Sequence, residues 1–222
     1  MAEGAKDDRA GPVQPGRPRR RDEWGIEFSR IVAFSDGVFA IAITLLVLQI
    51  DMPQHLPPGT TLLDELLNQD GDFIAYGISF AVLGKLWLAH HRFFAAVERF
   101  DGVLMGLNLL YLAWIVLVPF TSEVLGDYGD DSTAVILYAI SLTAVSITFQ
   151  VEIEYAYRNG LIRPQLSELE RRYAGPANFL VAAVFVLSIP VALVSPLVAV
   201  LMWPIIFFTG RPVADRIARR RS

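Results

Sequence analysis

Residues 30 to 50 read RIVAFSDGVFAIAITLLVLQI, and this stretch decides the fold class. After Arg30 it carries one charged group, Asp36, in an otherwise apolar run. From Ile31 to Ile50, about twenty residues at 1.5 Å each reach across a hydrocarbon layer roughly 30 Å thick. Five further apolar runs follow: Phe73 to Ala89, Val103 to Thr121, Thr133 to Tyr155, Phe179 to Val194 and Leu197 to Thr209. The expectation is an all-α membrane protein with six transmembrane helices per subunit. The last two runs are short, contain Pro190, Pro196 and Pro204, and turn at Ser195-Pro196, so a re-entrant hairpin is the alternative to two full spans. No repeat relates the two halves beyond shared hydrophobicity.

Composition agrees with this reading. Hydrophobic residues make up 54% of the chain and charged residues 19%, against about 25% charged in soluble proteins. Those charges crowd into the tail and the gaps, which leaves the apolar runs without the polar face of a soluble amphipathic helix. A water-soluble enzyme, a nucleic-acid-binding domain and a disulfide-stapled secreted module are excluded. With no cysteine, thiol catalysis and iron–sulfur ligation are excluded as well.

Residues 1–29, rich in Gly, Pro, Arg and Asp, read as a disordered basic cytoplasmic tail, 30–210 as the six-helix domain, and 211–222 as a basic cytoplasmic C-terminal tail. The basic start is not followed at once by a short apolar segment and a small-residue cleavage site, so it is not read as a cleaved leader. Orientation follows from Lys and Arg, which collect on the cytoplasmic side of short loops. The second connection holds Arg92 and Arg99, and the fourth holds Arg158, Arg163, Arg171 and Arg172. The first and third connections hold no Lys or Arg, but contain Asp51, Asp64, Glu65, Asp70, Asp72, Glu123, Asp127, Asp130 and Asp131. Both termini are therefore expected in the cytoplasm of a multi-pass plasma-membrane protein. The acidic outer loops read first as solvated connections, and second as an anionic rim that concentrates cations at a pore mouth.

Charged and polar groups at membrane depth are costly and usually have partners. Asp36 lies early in the first span, Lys85, His90 and His91 lie late in the second, and Asn108 lies early in the third. Their depths match, and a polar network joining three helices is expected. Along the first span, Phe34, Gly37, Ile41, Thr44, Leu45 and Leu48 fall within an arc of about 100°, a stripe near a 3.5-residue period. Asp36 points roughly 140° away from Ile41, so its partner is expected from another helix or subunit. Trp87 and His91 share a face at the four-residue spacing. By periodicity alone, the stripe reads as a surface for packing another helix. Adjacent histidines on a helix diverge by about 100°, so His90, His91 and Asp36 make a poor metal site. No nucleophile with its base and no Gly-rich phosphate loop is present, so the chain is not read as an enzyme and no cofactor is expected.

Arg30-x-x-x-Phe34-Ser35-Asp36-Gly37, running into the apolar Val38 to Ile50, resembles the first-helix signature of the transmembrane protein 175 family of potassium channels in its prokaryotic, single-repeat form. Trp87-x-x-His90-His91-x-x-Phe94, Leu107-Asn108-Leu109-Leu110 and Pro119-Phe120-Thr121 resemble the family at the corresponding places, and the match is specific from Arg30 to Gly126. The resemblance implies a six-helix subunit, a homotetramer, and a central cation pathway lined by the first helix. It implies constrictions at Ile41 and Leu48 with Thr44 and Leu45 between them. It also implies that Arg30, Phe34, Ser35, Asp36, Trp87, His90, His91 and Asn108 form a structural network and do not bind ions.

With the resemblance, the stripe becomes a pore wall, and a mid-membrane ring of apolar side chains would gate by dewetting. Ile41 lies eleven residues, about 16 Å, beyond Arg30. The Thr-Val-Gly-Tyr-Gly filter of ordinary potassium channels is absent. The function expected is a passive potassium-permeable channel whose partners are potassium ions in transit, the lipid bilayer and further copies of itself, with no nucleic acid and no resident metal. The alternatives are a proton-conducting or weakly selective cation channel, given the titratable His90, His91 and Asp36, and a non-conducting membrane assembly protein.

Overall fold

The computed structural model describes residues 20–50, 58–163 and 179–208. Among them the architecture is helical: α1 (Arg20–Leu45), α2 (Leu62–Asn68), α3 (Asp70–Ala96), α4 (Gly102–Asp127), α5 (Ser132–Arg158), α6 (Phe179–Ala192) and α7 (Pro196–Met202). α1 tightens into a 3-10 turn over Leu46–Gln49, and α7 continues as a 3-10 segment over Trp203–Phe208. Helix is the solution forced on apolar runs in lipid, where backbone groups must bond within their own segment.

Side chains close the helix ends at the connections. Asp101 accepts from the Leu104 amide at the start of α4 (2.8 Å), and Asp131 accepts from Thr133 at the start of α5 (2.6 Å). Thr61 and Asp64 form a reciprocal capping box on α2. Those amide and hydroxyl donors hold the Asp131 and Asp64 carboxyls below the usual carboxylate range. α5 stops at Arg158, where Gly160 takes the left-handed conformation that an L side chain resists (φ +64°).

The helices alternate in direction and share two ends. At the basic end, Phe28 of α1 packs on Phe94 and Phe100 (6.1 and 5.9 Å), and Val97 pairs with Ile162 in an isolated antiparallel bridge. Glu98 donates to the Leu161 carbonyl (2.7 Å) and Arg163 donates to that of Ala96 (3.0 Å). At the acidic end, Gly71 of α3 meets Gly126 of α4 so closely that an added Cβ would lie 2.8 Å from the Gly126 carbonyl oxygen. The core lies between α3, α4 and α5, with 56% of the apolar stretch of α5 buried against 22% of that of α1.

Among the described residues four helices, α1, α3, α4 and α5, are long and apolar enough to cross a membrane. Six spans were expected. The last two apolar runs instead form shorter described helices, 14 residues over Phe179–Ala192 and 12 over Pro196–Phe207. They pack antiparallel, with the Trp203 indole donating to Ser188 (3.1 Å). α2 was not foreseen. The tail boundary also moves, because helix begins at Arg20, ten residues before the expected Arg30. Helix extends cheaply once nucleated, and Phe28 has an aromatic seat to occupy. The remainder of the expected tail, 1–19, and the expected C-terminal tail, 211–222, lie outside the described residues.

In lipid, helices associate through close packing and interhelical hydrogen bonds, not through burial of apolar area. Gly71→Ala should therefore force α3 and α4 apart and cost about 1–3 kcal/mol, whereas Gly106→Ala, whose Cβ meets nothing within 4 Å, should cost nothing. Thermal unfolding of the two purified variants in detergent measures the difference. Equal midpoints would show that the acidic-end contact is not tight.

Candidate functional site

α1 has two unlike faces. Ser35, Phe39, Ala42 and Leu46 are buried against the rest of the subunit, again at a 3.5-residue spacing near that of a coiled-coil seam. Phe39 packs on the rings of His90 (5.6 Å) and Tyr111 (6.0 Å). The opposite face is the stripe Phe34, Gly37, Ile41, Thr44, Leu45 and Leu48, and every member of it is exposed in the subunit. Ile41 is 62% exposed and Leu48 74%. The 3-10 turn has a consequence here, since about three residues per turn brings Leu48 nearly above Leu45, where an α-helix would leave them about 60° apart. The Thr44 hydroxyl donates back to the Ile41 carbonyl (2.9 Å), which leaves its oxygen lone pairs facing outward.

Behind the stripe, the network consists of two separate chains of hydrogen bonds. In one, Ser35 donates to the Ile31 carbonyl (3.0 Å) and accepts from the Asn108 amide (3.0 Å), while the Asn108 carbonyl meets His90 Nε2 (2.9 Å). An amide oxygen only accepts, so Nε2 carries the hydrogen and Nδ1 is left as an acceptor without a partner. In the other, the Trp87 indole donates to Asp36 (2.9 Å), and the Trp87 ring packs on His91 at 5.7 Å. Ser35, Asn108 and His90 are buried, Asp36 and Trp87 half-buried, and Arg30, Phe34 and His91 exposed. Arg30 forms no ion pair with Asp36; among the described residues the ion pair is Arg158–Glu154.

The partner of Asp36 does come from another helix, Trp87 of α3. One expectation fails on azimuth. Lys85 leaves the network altogether, donating to the Ile206 carbonyl at the end of the last helix with its ammonium 5.7 Å from the Phe207 ring centroid. Five residues separate Lys85 from His90, which turns the two about 140° apart. Lys85 therefore faces the last helices when His90 faces α1 and α4.

Sequence reasoning missed two more groups. Toward the acidic end, Ser79 donates to Ser122 (2.7 Å) and pairs with the Tyr138 hydroxyl (2.9 Å), tying α3, α4 and α5 together. On α5, Glu152 is fully buried with neither carboxyl oxygen bonded. Its signal was an ionisable side chain inside the apolar run Thr133 to Tyr155.

Long apolar helices joined by buried polar chains define a multi-pass helical membrane protein. Residues 30–119 match the family described as "Endosomal/lysosomal potassium channel TMEM175". A potassium channel of Chamaesiphon minutus is 37% identical over 167 residues, covering 70% of this chain and 82% of that one. The chain belongs to the TMEM175 family. It is also 40% identical over 138 residues to a potassium channel of Streptomyces collinus, a match spanning 60% of this chain and 66% of the relative. The crystal structure of a lysosomal potassium-selective channel TMEM175 homolog from Chamaesiphon minutus superposes with a TM-score of 0.75 at 29% identity, covering 84% of this chain and 98% of that one.

The Trp87 indole requires an acceptor, not a charge. Asp36→Asn should therefore retain most of the stability, while Asp36→Ala, which orphans the indole hydrogen, should lose about 1–3 kcal/mol. Thermal unfolding and size-exclusion profiles of both variants check this. Asp36→Ala assembling normally but losing conduction would make Asp36 an ion site.

Proposed function

We propose that this chain is a passive, potassium-permeable cation channel of the plasma membrane, assembled as a homotetramer of six-helix subunits with both termini in the cytoplasm. The exposed face of α1 from four subunits lines a central pathway, narrowest at Ile41 and Leu48, with Thr44 and Leu45 between. α6 and α7 complete the six helices and return the chain to its starting side. The observation that carries the reading is the exposure of the whole Ile41–Leu48 stripe in the subunit, opposite a face fully engaged with α3 and α4. The two bacterial relatives, both potassium channels, supply the ion.

Four branched side chains at Ile41 form a narrow dry ring, and water and ions pass when it widens. Thr44 supplies the polar contact on the stripe. Its hydrogen is spent on the Ile41 carbonyl, so each subunit offers an oxygen lone pair to a cation that has shed water. The segregation of Lys and Arg supports the orientation.

Flux from liposomes holding only the purified protein tests the reading: dependence on the potassium gradient supports it. Dependence on pH supports proton conduction, and a silent, well-folded oligomer supports an assembly role. Ile41→Asn should wet the ring and raise leak current, while Ile43→Asn, about 160° round the helix, should mainly harm folding. Thr44→Val should change selectivity while leaving current intact. Planar-bilayer currents indifferent to both Ile41 and Thr44 would remove the stripe from the pathway. Separately, a cysteine at Thr60 should react with an impermeant reagent from outside, and one at Ser222 should not; the reverse pattern would invert the orientation.

A further inference from the structure

Glu152 lies six residues, about 9 Å, from the basic end of α5. It has no exposed surface, and neither carboxyl oxygen has a hydrogen-bond partner. One turn away on the same face, Phe149 packs on Tyr111 (5.2 Å) and His90 (6.3 Å), and Tyr111 and His90 stack nearly parallel at 5.4 Å. The Tyr111 hydroxyl and His90 Nδ1 are buried and likewise without partners. Each of three helices thus buries a polar atom that has no partner among the described residues.

Among the described residues, no cation offsets a charge on Glu152. Arg92, Arg99, Arg158 and Arg163 are all exposed, Arg158 is paired with Glu154, and Lys85 is turned to the Ile206 carbonyl. Asp36 is held by Trp87, and Tyr155 donates to Asp101 (2.9 Å). α6 and α7 contain no titratable residue. Removing an isolated carboxylate from water without a partner is far more costly than keeping it neutral.

We propose that each subunit holds an internal proton-binding site, in which Glu152 carries a proton at neutral pH inside the apolar core. The site is independent of the α1 stripe and of the ion that passes there. A neutral carboxyl leaves no charge for that core to offset. The consequence is a pH-dependent core. The folded chain holds a proton at Glu152 that the unfolded chain releases above its own ordinary glutamate range, so this contribution to stability is lost as pH rises.

The test is infrared spectroscopy of the purified full-length protein in detergent near neutral pH. A neutral-carboxyl C=O band is expected in the wild type and absent from Glu152→Gln, which keeps the shape and carries no titrating proton. Identical spectra would overturn the proposal, as would a proton found on His90 with Glu152 ionised. The thermal midpoint of the wild type should fall by several degrees between about pH 6 and about pH 9, and Glu152→Gln should lose less than about half as much. Parallel losses would overturn it. Failure of Glu152→Gln to assemble would also count against it, because a neutral isostere should serve. Tyr111→Phe offers an independent check: the wild-type band should persist, and its disappearance would overturn the assignment of the proton to Glu152.

Discussion

Hydrocarbon offers a backbone amide no water and offers a leucine nothing that another leucine does not already provide, and the rest of this structure follows from that constraint. It makes each apolar run a helix, and it removes area burial as the force that joins helices. What joins them is a backbone approach at Gly71 and Gly126, and short polar chains: Ser122–Ser79–Tyr138 toward the acidic end, Ser35–Asn108–His90 toward the basic end. Interhelical hydrogen bonds of this kind average about 0.6 kcal/mol each, so their larger effect is to fix which faces meet. The Lys85 ammonium obeys the same rule by finding the Ile206 carbonyl at the end of the last helix.

Because polar pairing fixes azimuth, it also determines what α1 leaves over. Ser35 and Phe39 turn one face of that helix inward, and the stripe on the other side is exposed as a result. The network and the stripe are therefore one feature seen from two sides. A substitution behind the helix acts on the pathway proposed in front of it by rotating the helix, with no contact to an ion.

The sequence carried the depth of each residue well and its azimuth poorly. Hydropathy placed the starts of α3, α4 and α5 closely, but α3 and α4 run on to Ala96 and Asp127, well past the expected ends at Ala89 and Thr121, and α1 begins at Arg20, where a polar sequence continues a helix already nucleated. His90 and Asn108 were expected at one level, and they are bonded there. The four-residue spacing of Trp87 and His91 gave their shared face. Lys85 was misplaced because a helical wheel gives angles within one helix, while the rotation of one helix against another is set by packing that no single wheel contains. α2 was readable after all, in Thr61-x-x-Asp64 before a leucine-rich turn, but the acidic loop around it drew attention to charge. Glu152 was concealed by Gln150 and Glu154, which made it resemble the frayed polar end of a span.

The two close junctions of the subunit have a mechanical meaning. The Val97–Ile162 bridge clamps α3 to the segment after α5 at one end, and the glycine contact clamps α3 to α4 at the other. The three central helices form a braced frame, stiff against both splaying and shear. α1 lies outside the brace with the smallest buried share of the four long helices. Under load, strain goes to the member with the fewest contacts. α1 is thus the compliant strut of the subunit, and its 3-10 turn at Leu46–Gln49 is where that strut changes stiffness.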